Sequence, residues 1–89
     1  AFLIDVRTPG EYKNGHIDGA TNIDFNQIDQ MKFAFEKLDH NQPMLIYCAA
    51  GGRSNKTRIL MAEMGFTQVY ELSKGMSGWE AAGKPVSLK

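Results

Sequence analysis

The run Tyr47-Cys48-Ala49-Ala50-Gly51-Gly52-Arg53-Ser54 gathers what a nucleophilic thiol needs. The cysteine follows Met44-Leu45-Ile46-Tyr47, which lacks polar alternation and reads as a strand buried on both faces. Small residues come next, so no side chain blocks the approach of a ligand to the backbone. Gly51 and Gly52 permit the positive φ values that turn successive N–H groups inward. A helix then starts, with Ser54 as its expected cap, and its free N–H groups and dipole favour an anion. An ordinary cysteine, with a pKa near ~8.5, is only a small fraction thiolate at neutral pH. Lowering that value by roughly two makes thiolate the main form and asks about 2.7 kcal/mol of the surroundings. A few N–H donors and a helix end can supply this. Arg53 adds a fixed charge and a planar fork suited to an oxyanion. The competing reading makes Cys48 a small core residue, since free cysteines are often buried. A structural cysteine, however, has no need of Gly51-Gly52-Arg53 behind it.

The rest of the chain must position this segment. With 89 residues there is room for a single domain over residues 1–89, either a minimal form or one trimmed at its N-terminus. Hydrophobic residues at 43% and charged residues at 22% are ordinary for a globular protein, and net charge is zero. Ten basic residues against ten acidic ones leave no global field to attract nucleic acid or an anionic membrane surface. The longest apolar run, Met44 to Ala50, is too short to cross a bilayer. The first residues carry no basic region or cleavage site, so the compartment stays open: cytoplasm, or periplasm after removal of a signal. A single cysteine rules out an internal disulfide, and no Cys/His cluster has zinc spacing.

Phe2 to Val6 reads as a buried strand. Thr8-Pro9-Gly10-Glu11 carries a capping box and Pro at the first helical position, so a short helix should start there and stop by Asn14-Gly15. A loop and a brief extended piece at Thr21-Asn22-Ile23 follow. Apolar residues at Phe25, Ile28, Met31, Phe35 and Leu38 predict an amphipathic helix over 25–38. Beyond the central strand, a helix should run from Ser54 to Glu63-Met64, a strand over 67–72, and a last helix over 76–82 closed by Gly83. Strands alternating with helices imply an α/β three-layer sandwich with a mostly parallel central sheet. In such sheets the working site lies at the carboxyl ends of the strands, where Cys48 falls.

Leu3-Ile4-Asp5-Val6-Arg7, Glu11-Tyr12 and Gly15-His16-Ile17-Asp18-Gly19-Ala20-Thr21-Asn22-Ile23 resemble the opening signature of rhodanese-like domains. The Cys48 segment resembles their active-site loop. Gly65-Phe66 through Tyr70, and Gly75-Met76-Ser77-Gly78-Trp79 through Val86, resemble their closing signature. The resemblance implies a rhodanese fold and transfer of a sulfane sulfur. Cys48 would attack thiosulfate or another persulfide donor, become a persulfide, and pass the sulfur to cyanide or a thiol by ping-pong kinetics. The N–H groups of Ala49, Ala50, Gly51, Gly52 and Arg53, with Ser54, would cradle the persulfide. Asp5 and Arg7 would support the pocket through hydrogen bonds or an ion pair. The resemblance implies neither metal nor organic cofactor. The expected partners are a small-molecule donor and acceptor or a protein thiol, with no nucleic acid and no membrane, and the protein is expected to be a monomer. His16 is read as a backbone partner rather than a general base, Trp79 as core packing, and Lys56 and Arg58 as a solvated face.

The sequence departs from the family in two residues. Ala49 stands where many thiosulfate-using members carry a basic residue, which leaves Arg53 as the main cation of the loop. Lys74 stands where the first glycine of a pair is common. Two other functions compete. Cysteine phosphatases and arsenate reductases use Cys-x5-Arg, whereas Cys48 to Arg53 is one residue shorter and makes a tighter cradle. The other competitor is a rhodanese-like module that binds or regulates without catalysis.

Overall fold

The computed structural model describes residues 2–89. The chain runs β1 (Phe2–Asp5), α1 (Pro9–Lys13), β2 (Thr21–Asn22), α2 (Ile28–Glu36), β3 (Met44–Tyr47), α3 (Gly52–Glu63), β4 (Val69–Glu71) and α4 (Gly75–Ala81). The strands form one sheet in the order β2-β1-β3-β4, and every pairing is parallel. β1 and β3 are the central pair, in register from Phe2 opposite Met44 to Asp5 opposite Tyr47.

Alternation along the strands divides the core. Ile4, Met44, Ile46 and Cys48 lie in one apolar cluster with Met31 and Phe35 of α2, Met61 of α3, and Phe66. Tyr47 lies in a second cluster with Ile17, Ala20 and Met76 of α4, against which Leu3, Tyr12 and Trp79 pack. The two clusters occupy opposite faces of the sheet, since successive side chains on a strand point opposite ways. The expected α/β sandwich is the one observed. Trp79 joins the second cluster and donates its indole N–H to the Pro85 carbonyl at 2.7 Å.

Several boundaries differ from the expectation. Helix α2 starts at Ile28, not Phe25, because the Phe25 N–H continues the sheet by donating to the Val6 carbonyl at 3.1 Å. Asp24 then accepts from the Asn26 N–H at 2.9 Å in a local turn that competes with helix. Helix α3 starts two residues before Ser54 and takes Gly51 as its cap, so Ser54 lies inside the helix with its hydroxyl free for other partners. The α1 capping box forms as expected, with Thr8 and Glu11 bonded reciprocally. Lys74 adopts φ −92°, ordinary for any residue, so nothing at that position demands glycine.

Candidate active site

Cys48 leaves the carboxyl end of β3 and enters the loop that becomes α3. Its Sγ accepts the Gly51 N–H at 3.1 Å and the Ser54 N–H at 3.4 Å, and the Ser54 Oγ lies 3.5 Å away. Two features turn the loop this way. Gly51 holds φ +109°, which a residue with a Cβ rarely adopts, and its missing Cβ would collide with the Ser73 carbonyl oxygen. On the outer side, the first N–H groups of α4 take the loop carbonyls: Met76 donates to Cys48 at 2.8 Å and Ser77 to Ala49 at 3.0 Å. In a trans peptide the N–H points opposite to the C=O. Anchoring the Ala49 carbonyl outward therefore turns the Ala50 N–H back toward the sulfur. Gly75 lets α4 come this close, because a Cβ there would enter the Cys48 and Ala49 carbonyls.

These contacts set the electrostatics. Burial pushes the Cys48 thiol up, but hydrogen bonds from the Ser54 hydroxyl and from the Ser54, Gly51 and Ala50 N–H groups outweigh it, so the thiol sits below its ordinary value. Cys48 is only 1% exposed, enclosed by the loop and the edge of the apolar cluster.

The Arg53 fork is engaged by a carboxylate. Its Nη1 and Nη2 donate to the two carboxylate oxygens of Glu11 at 2.8 and 3.0 Å, an ion pair that ties α3 to α1. That bidentate bond, together with the Thr8 N–H and hydroxyl, holds the Glu11 carboxyl at about 2 against an ordinary 4.5, although partial burial opposes it. Asp5 and Arg7 form a buried pair, with Arg7 Nη2 donating to Asp5 Oδ2 at 2.7 Å and to the Gly15 carbonyl at 2.7 Å. Burial works against the Arg7 charge, but Asp5 outweighs it. The Tyr47 hydroxyl donates to Asp5 Oδ2 at 2.9 Å and accepts the Ile17 N–H at 3.1 Å. Asp5 and Tyr47 lie on the sheet face opposite Cys48, so the pair braces the strand ends and not residues 49–54 directly. His16 is 2% exposed, stacks on Tyr12 at 3.7 Å, and donates from Nδ1 to the Tyr12 carbonyl at 2.9 Å.

Three side chains at the site carried no sequence signal of their role: Glu11 beyond its capping box, the Tyr47 hydroxyl, and Glu71. The last sits at the end of β4, where its Oε2 accepts from the Ser54 hydroxyl at 2.8 Å and its Oε1 lies 3.4 Å from Arg58 Nε. Among the described residues no group of three His, Cys, Asp or Glu side chains is placed to hold a metal ion, and no helix is long and apolar enough to cross a membrane.

A parallel α/β sheet with a lone cysteine held in a loop of N–H donors at its carboxyl edge defines a class of small thiol-bearing domain. The chain belongs to the rhodanese-like domain family, whose model matches residues 1–82. It is 37% identical over 79 residues to the uncharacterized protein YqhL of Bacillus subtilis, covering 89% of this chain and 60% of that protein. It is 31% identical over 80 residues to thiosulfate sulfurtransferase GlpE of Shewanella oneidensis, covering 90% of this chain and 76% of that one. The crystal structure of a rhodanese-like domain of Anabaena sp. superposes with a TM-score of 0.84 at 30% identity, covering 99% of this chain and all of that one.

Proposed function

We propose that this domain moves a sulfane sulfur through a persulfide on Cys48. The Cys48 thiolate attacks the outer sulfur of thiosulfate or the terminal sulfur of another persulfide. A new Sγ–S bond forms, the donor S–S bond breaks with its electron pair leaving on sulfite or thiolate, and Cys48-S-S⁻ remains. A small thiophile such as cyanide, or a thiol including that of a protein, then takes the terminal sulfur and returns the thiolate. The observation that carries the reading is the convergence of the Gly51 and Ser54 N–H groups on Sγ, at 3.1 and 3.4 Å. Such donors favour an anion at Sγ both before and after sulfur is taken up. With Cys48 at 1% exposure, the donor reaches the sulfur as residues 49–53 yield, and Ala50 and Gly52 are the exposed members of that loop.

Incubation with thiosulfate followed by intact-mass spectrometry should add about 32 Da, one sulfur atom on the ladder of cysteine modifications, and cyanide should remove it. Cys48→Ala should take up no sulfur and form no thiocyanate while keeping its circular dichroism. Thiocyanate production by that variant, or an unmodified native protein with every sulfane donor tried, would defeat the reading.

A further inference from the structure

Ser54 is fully buried, and its hydroxyl has one hydrogen to give. Three acceptors surround it: Glu71 Oε2 at 2.8 Å, the Gly51 carbonyl at 3.3 Å, and Cys48 Sγ at 3.5 Å. The carboxylate is the nearest and the strongest acceptor of the three. With the hydrogen on Glu71, the Ser54 oxygen turns a lone pair toward Cys48. That arrangement accepts a hydrogen bond from a thiol but opposes a thiolate.

We propose that Glu71 is a positioning residue acting through Ser54: it draws the hydroxyl hydrogen away from the sulfur in the resting thiol and yields it when the sulfur becomes an anion. In the thiol state, Cys48 Sγ–H donates to Ser54 Oγ and Ser54 Oγ–H donates to Glu71. On ionisation the cysteine proton leaves to solvent, the hydroxyl rotates to Sγ, and Glu71 keeps only Arg58, at 3.4 Å. Of the other charged groups on the packed elements, Arg53 pairs with Glu11 of α1 and Arg7 with Asp5 of β1, while Lys56 and Glu63 of α3, Glu80 of α4 and Lys74 before α4 are exposed to solvent. Glu71 is therefore the acid that competes directly for a hydrogen bond the thiolate uses. The proposal rests on the reading of Cys48 as the sulfur-carrying residue, but its test requires no sulfur transfer.

The test is the pH profile of Cys48 alkylation by iodoacetamide. Glu71→Gln should lower the midpoint by roughly 1, giving about tenfold more thiolate below it. Ser54→Ala should raise the midpoint, and in that background Glu71→Gln should produce less than about half of its former shift, because the shared partner is gone. An unchanged or raised midpoint for Glu71→Gln overturns the proposal. So does an undiminished shift in the Ser54→Ala background, which would make the effect a plain field across space. Should Glu71→Gln fail to fold, Arg58→Met carries the test. Removing the counter-charge strengthens the hold of Glu71 on the hydroxyl and should raise the midpoint; a midpoint that stays or falls overturns the proposal. A protein inert toward thiosulfate would still answer all of these, so the two readings can fail separately.

Discussion

The Arg53 guanidinium already grips a carboxylate, and this bears on which donors the site accepts. Both terminal nitrogens are occupied by Glu11, so a dianionic donor such as thiosulfate must displace an internal competitor to use the fork. Glu11→Gln keeps the capping box, since Gln serves at that position as well as Glu, and removes the charge together with one of the two acceptor oxygens that Arg53 uses. We expect the KM for thiosulfate to fall about fivefold, on the order of 1 kcal/mol of binding; an unchanged KM would show that the fork never meets the donor. The same variant has a second readout. The Glu11 carboxyl is depressed from 4.5 to about 2, so its contribution to stability is present above 4.5 and is lost as pH falls toward 2. The difference in melting temperature between native protein and Glu11→Gln should thus be full at pH above 4.5 and vanish near 2. With Glu11 36% exposed, it should be worth about 1 kcal/mol or less. Gly52, expected to turn the loop in the same way as Gly51, is instead the first residue of α3, without a positive φ. At this scale the loop around Cys48 and the positive φ of Gly51 were legible, because residue type and local spacing report backbone geometry. The partner of Arg53 was not, because Glu11 lies 42 residues away and each of the two residues already had a sufficient local explanation.

At the scale of elements, the loop is shaped as much by α4 as by α3. The carboxyl edge of β3 and the small-residue loop are readable from the central run of sequence. That α4 should press its first N–H groups onto the Cys48 and Ala49 carbonyls is a matter of packing, and only the glycine at its start hints at the close approach. The helix boundary at Phe25 shifted because a long-range partner, the Val6 carbonyl, took a backbone group that periodicity alone assigns to a helix. The one at Ser54 shifted the other way, because the Gly51 carbonyl accepts the Asn55 N–H and opens the helix earlier. Gly75→Ala tests the contact. It places a Cβ against two backbone carbonyls at φ +55°, where nothing flexible can yield. We expect a loss of about 2–4 kcal/mol, read as a fall in melting temperature of roughly 10 °C or more, together with a slower reaction at Cys48. Gly83→Ala is the control: its φ is +72° but nothing lies within 4 Å, so only the left-handed strain, about 1–2 kcal/mol, applies. Equal losses in the two variants would mean that the approach of α4 to the loop does not matter.

At the scale of the whole molecule, the two sheet faces divide the work. One carries the thiol at the edge of its apolar cluster; the other carries a buried polar network that joins β1, β3 and the connection before β2. Asp5 is the hub, since it receives Arg7 and the Tyr47 hydroxyl while Tyr47 in turn holds the Ile17 N–H. The parallel sheet was legible from the alternation of strands and helices, but this network was not, because Asp5 and Tyr47 pair across neighbouring strands and nothing local announces the register. Removing parts of it should give unequal costs. Tyr47→Phe leaves one N–H and one carboxylate oxygen short of a partner, for about 1–3 kcal/mol. Asp5→Asn leaves the Arg7 guanidinium buried without its counter-charge, for about 3–5 kcal/mol. Urea unfolding measures both. Alkylation of Cys48 in the fraction of Tyr47→Phe that remains folded should proceed at the native rate, since the lost hydroxyl lies across the sheet from the sulfur. A slowed alkylation in folded Tyr47→Phe would mean that the network positions the thiol as well as the strands, and that the two faces are not independent.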